Sequence, residues 1–321
     1  MKASFRYATR INSFKSQPDL NLQKDDLAIT KNLIKRLNNL SGLTGFFMNF
    51  PEHFVGNEAF LKSFFRDSGI QFDGFNIRFP EELYFNGGFT NPSSSIRSSA
   101  LDLCKKAIDA CRDMGGKEIV IWPAFDGIDY SLQADFETLW HFELENIAKV
   151  AEYGNDLKIS IEFKPADPRR RSIIDSTATT LLAIEEIGAH NLGITLDYCH
   201  SLMAKENPAL SAVHCLRKNK LFGMHLNDGY GHLDDGMIVG SVTPSIMLEL
   251  IYYLIKYDFK GVIYFDTFPV REDPLKEFEM NIAQIEKFIS LIEQIDTDKL
   301  SLYMANQDAL GVMNIIFGSR I

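Results

Sequence analysis

The sequence predicts an α/β protein built as a single (β/α)8 barrel with extra C-terminal helices. Two observations support this prediction. Short apolar runs alternate with amphipathic helical patterns about eight times along the 321 residues, and such runs, flanked by turn formers, are typical of parallel strands buried on both faces. Eight strand and helix units in a chain of this length favour a barrel, in which functional groups collect at the carboxyl ends of the strands.

The first half of the chain is predicted to hold four strands, over residues 5–9, 43–49, 72–78 and 118–122. Helices are predicted over 25–40, 58–66, 96–114 and 136–153, where apolar residues recur at helical spacing. The helix over 96–114 stops at Gly115 and Gly116, which together form a normal C-terminal signal. A loop rich in Gly, Asn, Pro and Ser precedes that helix, over 79–95.

The second half repeats the pattern, with strands over 158–162, 192–197, 221–225 and 262–266. Helices are predicted near 177–188, 209–218, 244–257 and 274–295. We therefore expect one catalytic barrel domain over 1–295 and a C-terminal helical extension over 296–321. The barrel does not need this extension, which makes it a candidate for subunit packing, and a homo-oligomer is expected.

The strands of the second half all end on a side chain that can bind a metal: Glu162, Asp197, His225 and Asp266. Consecutive barrel strands end at the same face, so these side chains are expected to converge. Any one of them alone is equally well explained by an ion pair with a strand-end Lys or Arg. All four in register favour a metal, because buried charges must be paired or bound to metal. Three carboxylates and an imidazole suit Mn²⁺, Mg²⁺ or Co²⁺ better than a structural zinc.

Further polar residues follow the same strand ends: Lys164, His200, Asn227, Asp234 and Asp235. Lys164 lies two positions after Glu162, so an extended strand points both side chains the same way, and a cation there can polarise a bound carbonyl oxygen. His200 can serve as a second ligand or simply start a helix. The two adjacent Asp residues can serve as ligands or form an ordinary acidic turn.

Composition and charge argue against several other classes of protein. The formal net charge of −10 disfavours nucleic acid as a partner, because binding to a phosphate backbone relies on clustered Lys and Arg. No window reaches the ~18 apolar residues of a membrane helix, and no secretory signal pattern is present. The four cysteines fit buried thiols in a reducing compartment. We expect a cytoplasmic protein that acts on a small molecule.

Six short motifs carry a family resemblance through their order and spacing. They are Asn86-Gly-Gly-Phe-Thr90 followed by Arg97, Ile121-Trp122, Ile161-Glu-Phe-Lys-Pro165, Asp197-Tyr-Cys-His200, Lys220-Leu-Phe-Gly-Met-His-Leu-Asn227, and Phe265-Asp-Thr-Phe-Pro269 followed by Arg271. Over roughly 83–286 the chain resembles the xylose isomerase-like TIM barrel superfamily. That superfamily contains divalent-metal aldose–ketose isomerases, ketose 3-epimerases and an endonuclease relative.

By this resemblance, the four strand-end residues hold one divalent metal, and Asp197, His200 and Asp235 hold a second, mobile one. Asp235 sits nearest the expected spacing, although the family pattern separates two Asp by one residue and here they are adjacent. Lys164 would contact the substrate carbonyl oxygen, and Glu162 and Lys164 are the predicted catalytic residues. The residues predicted to contact the substrate are Trp122, Asn227, Arg78 and Asp234.

The resemblance implies a sugar isomerase that moves hydrogen between C1 and C2. A ketose 3-epimerase is the alternative, although such epimerases flank the substrate with two glutamates and this chain has Asp266 opposite Glu162. An apurinic endonuclease-like barrel and a non-catalytic sugar-binding barrel are more distant alternatives. Xylose itself is disfavoured, because His225 stands where xylose isomerases have a carboxylate and their ring-opening His and Asp have no match around 47–50.

Arg78 ends the third predicted strand and is expected to face the mouth of the barrel. An Arg in that position needs a carboxylate partner from the protein, such as Glu81 or Glu82, or an anionic group on the ligand. The sequence leaves both possibilities open.

Overall fold

The computed structural model describes residues 5–16, 26–38, 40–123 and 125–318, except the side chains of residues 16, 26, 27, 29 and 317. It contains the predicted (β/α)8 barrel. Its eight parallel strands are Arg6–Thr9, Gly45–Phe50, Gln71–Ile77, Glu118–Ile121, Lys158–Ile161, Leu192–Asp197, Leu221–Leu226 and Val262–Phe265. Strands two to eight pair in chain order, and the first strand pairs with the eighth.

The barrel is nearly closed between its first and second strands. Tyr7 forms an isolated parallel bridge with Leu43, and the Thr44 N–H donates to the Tyr7 carbonyl at 2.9 Å. All eight strands run in one direction around this ring, so all eight carboxyl ends lie at a single face.

The long helices are Asp26–Leu37, Glu58–Ser68, Ser94–Met114, Phe136–Tyr153, Thr177–Ile187, Pro208–Arg217, Pro244–Lys256 and Pro274–Gln294. Local signals set their ends. The Asp135 side chain accepts the Thr138 N–H and caps Phe136–Tyr153, while Gly115 ends Ser94–Met114 in the left-handed conformation at φ 75°. Of the helix predicted over 25–40, residues 25 and 39 lie outside the described residues.

The sequence did not predict several short elements that follow the strand ends. They are the 3-10 helix Ile11–Ser16, the helices Glu81–Tyr84 and Tyr198–Met203, and a small antiparallel ribbon of Gly127–Ile128 with Arg171–Ser172. The helices Thr297–Ala305 and Ala309–Phe317 follow the last barrel helix. No helix in the described ranges is both long and apolar enough to cross a membrane.

The core has two parts that lie on opposite faces of the sheet. The larger part joins strand residues such as Phe46 and Ile119 to apolar helix residues such as Leu33 and Ile108. The smaller part is a cluster of the alternating strand residues Ala8, Phe47, Val120, Val262 and Tyr264. Because successive strand side chains point to opposite faces, the smaller cluster packs inside the barrel and the larger one beneath the helices.

Candidate metal centre

The carboxyl ends of strands five to eight bring four potential ligands together. Glu162, Asp197, His225 and Asp266 are all buried, and each offers a ligand atom within 4.8 Å of those of the other three. Glu162 and Asp266 immediately follow their strands, whereas Asp197 and His225 lie within theirs. The four residues that the sequence predicted to converge therefore lie together at the mouth of the barrel.

Asp197 has a structural task as well as a place in this cluster. Its Oδ1 accepts the His200 N–H at 2.9 Å, so that it caps the short helix Tyr198–Met203. The cap orients the carboxylate. It also places His200 one helical turn further on, and the His200 Nδ1 atom lies 3.9 Å from Asp197 Oδ1.

A second group of potential ligands consists of Asp197, His200 and Asp234. The His200 Nε2 atom lies 3.2 Å from Asp234 Oδ2. The sequence favoured Asp235 at this position, which stays a prediction, whereas the geometry brings Asp234 and not Asp235 to His200. The Asp235 Oδ2 atom accepts the Tyr230 N–H at 2.7 Å. This bond lies within the loop and holds the Asp235 carboxylate away from His200.

The donor set fits a bound cation. Among the described residues, several buried polar atoms of the two groups have no hydrogen-bond partner: Glu162 Oε2, Asp234 Oδ1 and His200 Nδ1. Unpartnered buried oxygens are rare because they lose the solvation that water would provide. A hard or borderline divalent ion would satisfy them, so this cluster of acids and imidazoles can bind a metal.

The charges of the cluster are strongly coupled. Burial alone would raise the pKa of Glu162, but His225, whose Nδ1 lies 3.2 Å from Oε1, and Arg78 together lower it to about 2. Burial opposes a charged His200, yet the carboxylates of Asp197 and Asp234 outweigh it and raise the pKa of His200 to about 9. Burial and the neighbouring acids raise the pKa of Asp197. Without a cation the cluster therefore retains protons, which a metal has to displace.

A cavity of roughly 380 Å³ lies beside these ligands, at the mouth of the barrel. Its lining residues are almost all polar: Arg10, Asn12, Asn49, Glu52, Arg78, Trp122, Glu162, Lys164, Asp167, His200, Asp234, Asp266 and Phe268. A cavity of this size accommodates a small polar molecule.

Lys164 and Trp122 lie side by side in the cavity, as expected from the sequence. The Lys164 Nζ atom is 3.2 Å from Asp234 Oδ2, 3.3 Å from Asp167 Oδ2 and 5.6 Å from the centre of the Trp122 ring. The acids that pair with Lys164 are thus Asp234 and Asp167, and not the metal-type ligands Glu162 or Asp197. Its ammonium is buried but still borders the cavity.

Asn227 was expected to contact the substrate, which stays a prediction; the structure places it outside the cavity lining. Its side chain is fully buried, and its amide donates to Asp197 Oδ2 at 3.1 Å and to the Asp266 carbonyl at 3.2 Å. Its Oδ1 accepts the Cys199 N–H at 3.0 Å. Asn227 therefore lies behind the ligands, where it positions Asp197.

Six residues of the lining were not singled out from the sequence: Arg10, Asn12, Asn49, Glu52, Asp167 and Phe268. Asn12 donates to both carboxylate oxygens of Glu52 at 3.2 Å. Behind them, His53 Nδ1 accepts the Asn49 N–H at 3.0 Å, and burial lowers the pKa of His53 to about 4, which leaves it neutral. These six lining residues lie at or just after the ends of strands one, two, five and eight. Their position after a strand end was the signal by which the sequence could have identified them.

Comparison with known families agrees with the fold. A family model described as xylose isomerase-like TIM barrel matches residues 53–299. The chain belongs to this family.

One curated relative of the chain is a sugar isomerase. The chain is 23% identical to the xylose isomerase of Thermus thermophilus over 201 residues, which are 61% of this chain and 52% of that protein. The match thus spans about half the length of this curated relative.

Solved structures of similar fold cover more of the chain. L-ribulose 3-epimerase has a TM-score of 0.69 at 15% identity, covering 90% of this chain and 96% of its own. D-allulose 3-epimerase from Methylomonas sp., in complex with D-allulose, has a TM-score of 0.68 at 14% identity, with coverages of 90% and 97%. At these identities the likeness concerns the fold alone.

Proposed function

We propose that the protein is a divalent-metal-dependent sugar isomerase, which interconverts an aldose and a ketose by moving hydrogen between C1 and C2. The observation that carries this proposal is the convergence of Glu162, Asp197, His225 and Asp266 beside a cavity that also contains Lys164. Membership of a family with sugar isomerases and epimerases supports the same conclusion.

The first metal would be held by Glu162, Asp197, His225 and Asp266, and a second by Asp197, His200 and Asp234. Carboxylate-rich sites of this kind suit Mn²⁺, Mg²⁺ or Co²⁺. When bound, such an ion supplies Lewis-acid polarisation of the sugar oxygens. Asn227 keeps the Asp197 carboxylate oriented through its bond to Oδ2.

Lys164 supplies a fixed positive charge next to this cluster. Asp234 and Asp167 hold its ammonium at 3.2 and 3.3 Å, so it needs no reorganisation to face charge that develops on the substrate carbonyl oxygen. Glu162 is the candidate base if the hydrogen travels as a proton through an enediolate. A direct hydride shift needs no protein base, and Lys164 serves both routes.

One contact favours isomerisation over 3-epimerisation. Asp266 Oδ1 lies 3.3 Å from Arg10 Nε, so the acid opposite Glu162 is held in an ion pair. An epimerase needs an acid/base group on each side of the substrate, whereas the Asp266 carboxylate is already engaged by the Arg10 guanidinium. Epimerisation at C3 remains the alternative, because solved structures of ketose 3-epimerases have a similar fold.

Proton NMR in D₂O tests this function with the purified protein, added Mn²⁺, Mg²⁺ or Co²⁺, and a panel of aldoses and ketoses. We expect aldose–ketose conversion that a chelator abolishes. Deuterium at C1 or C2 of the product would indicate the enediolate route, and its absence the hydride shift. Inversion at C3 without any aldose product would replace the isomerase proposal by the epimerase.

A further inference from the structure

The cations at the cavity differ in whether a carboxylate of the protein lies within ion-pair distance of them. Arg10 pairs with Asp266 at 3.3 Å, and Lys164 pairs with Asp234 and Asp167. Just outside the lining, Lys15 pairs with Glu52 at 2.8 Å. In the described part of the chain, Arg78 has neither an ion pair nor a side-chain hydrogen bond, and its guanidinium lies 4.8 Å from the centre of the Trp122 ring.

The sequence offered Glu81 and Glu82 as partners for Arg78, but both are exposed, and neither forms an ion pair with it. The backbone explains the difference. The Arg78 N–H donates to the Phe50 carbonyl at 2.9 Å, which keeps this residue in line with the barrel strands. The side chain therefore turns into the cavity, while the helix Glu81–Tyr84 carries the acids to the outside.

We propose that Arg78 binds a carboxylate of the substrate, so that the sugar is a sugar acid such as a hexuronate. This inference rests on the proposed isomerase function and names its substrate class. A guanidinium with no protein anion in contact is suited to bidentate recognition of a carboxylate. Its stacking on Trp122 holds the planar group in one orientation.

A carboxylate fits this site better than a phosphate. The cavity already contains the carboxylates of Glu52, Glu162, Asp167, Asp234 and Asp266. In the described part of the chain, none of these acids forms an ion pair with Arg78. A single guanidinium balances one negative charge, whereas a phosphate monoester carries close to two at neutral pH. The reaction stays an isomerisation: the hydrogen on C2 moves to C1, the O2 hydroxyl proton passes to the C1 oxygen as O2 becomes the ketone oxygen, and the remote carboxylate is unchanged.

A binding experiment tests the role of Arg78 without catalysis. The chain has two tryptophans, and in the Trp140→Phe background Trp122 alone reports on the cavity. Mg²⁺-loaded protein is titrated with D-gluconate and with the uncharged D-glucitol, neither of which can be isomerised. We expect gluconate to bind about tenfold tighter or more, as a charge-assisted bond predicts, and Arg78→Gln to remove that preference.

The matched control is Arg271→Gln. Arg271 is an exposed Arg on the loop after the eighth strand, outside the cavity lining, so this variant should keep the gluconate preference. Equal binding of gluconate and glucitol, or a preference that survives Arg78→Gln, overturns the inference. Inorganic phosphate competing more strongly than gluconate at Arg78 would likewise exclude the carboxylate.

A comparison of turnover on charged and uncharged sugars is the second test of this inference. D-Glucuronate, D-galacturonate and D-mannuronate are compared with D-glucose, D-galactose and D-mannose, and we expect kcat/KM to favour a uronate at least about tenfold in an Arg78-dependent manner. Neutral sugars converted as well as uronates would contradict this inference while supporting the isomerase. If no sugar of either kind is converted, the isomerase proposal fails, and the gluconate titration still decides whether Arg78 binds a carboxylate.

Discussion

Lys164 is the residue on which the proposed chemistry depends most directly. Replacing it by Met keeps the length of the side chain but removes the ammonium that Asp234 and Asp167 hold beside the cavity. We expect Lys164→Met to lower kcat by about 10²–10³, the usual effect of losing one preorganised charge donor, with metal content near normal. Steady-state kinetics and elemental analysis measure the two quantities.

An exposed lysine provides the control for this variant. Lys149 pairs with Glu145 on the outer helix Phe136–Tyr153, and Lys149→Met should leave kcat unchanged. If Lys164→Met lost its metal and melted earlier while the remaining loaded protein kept wild-type kcat, Lys164 would be a structural residue.

Asn227 should act on the metal through Asp197. Its buried amide donates to Asp197 Oδ2 and to the Asp266 carbonyl, and outer partners of this kind typically affect metal affinity by about 10–100-fold. We expect Asn227→Ala to weaken Mn²⁺ binding by that factor in an equilibrium titration.

Asn191→Ala is the matched control for Asn227→Ala, because Asn191 is also buried and donates to three backbone carbonyls, those of Ala151, Gly154 and Leu157. It precedes strand six, at the end of the barrel away from the ligands. It should lower thermal stability but leave Mn²⁺ affinity unchanged. Equal loss of Mn²⁺ affinity in both variants would mean that Asn227 acts only through global stability.

At the scale of elements, the third and fourth strands depend on a close approach at Gly74. A Cβ at this position would lie 1.8 Å from the Glu118 carbonyl oxygen, which is backbone and cannot move aside without parting the strands. We expect Gly74→Ala to lower the free energy of unfolding by about 3 kcal/mol or more, at or above the upper end of ordinary overpacking. Chemical denaturation measures the change.

Gly69→Ala is the control that separates the effect of steric crowding from the effect of backbone conformation. Gly69 has φ +72°, but no atom lies within 4 Å of its hypothetical Cβ. The variant should lose only about 1 kcal/mol through the left-handed conformation. A Gly74→Ala variant no less stable than Gly69→Ala would show that the two strands can part easily.

Helix and strand periodicity predicted the long elements well, and the short ones poorly. The helix Phe136–Tyr153 and the strand Leu192–Asp197 have the predicted bounds, since each combines a clear apolar pattern with capping or turn residues. Tyr198–Met203 was missed because six residues are too few to establish a helical period. Its start at Asp197 reflects a capping bond that becomes visible only in three dimensions.

For the whole molecule, metal binding should stabilise the fold in a pH-dependent way. A ligand at about 100 times its Kd stabilises the native state by about 2.7 kcal/mol, so Mn²⁺ should raise Tm and a chelator should reverse the effect. Asp266→Asn, which removes a ligand charge, should show a smaller shift. Calorimetry of wild type and variant makes the comparison. If Mn²⁺ left the Tm of the wild type unchanged, the proposed metal site would be excluded.

The size of that metal-induced shift should grow with pH. The pKa of His200 is raised to about 9, so its proton stabilises the metal-free fold fully below the unfolded value near 6.5, and this contribution is lost as pH rises through 9. Metal binding needs neutral imidazole, so it should strengthen over the same range. Mn²⁺ titrations between pH 6.5 and 9 should show rising affinity; a flat profile would contradict displacement of this proton.

The sequence by itself determined the barrel and the residue types at its mouth. Buried parallel strands need continuous apolar runs, and each run in the second half ends on Glu, Asp or His, so both the fold and the convergence of Glu162, Asp197, His225 and Asp266 follow from one-dimensional order. The division into a barrel over 1–295 and an extension over 296–321 stays a prediction.

Only the tertiary structure decided which neighbouring side chain faces the cavity. Asp234 and Asp235 are adjacent and chemically identical, and the loop path, closed by the antiparallel bridge of Asp228 with Met237, turns Asp234 toward His200. Arg78 could have met an acid close in sequence, but the strand directs it over Trp122 instead. Sequence patterns specify burial and period, whereas the direction of a loop side chain depends on contacts between residues far apart in the chain.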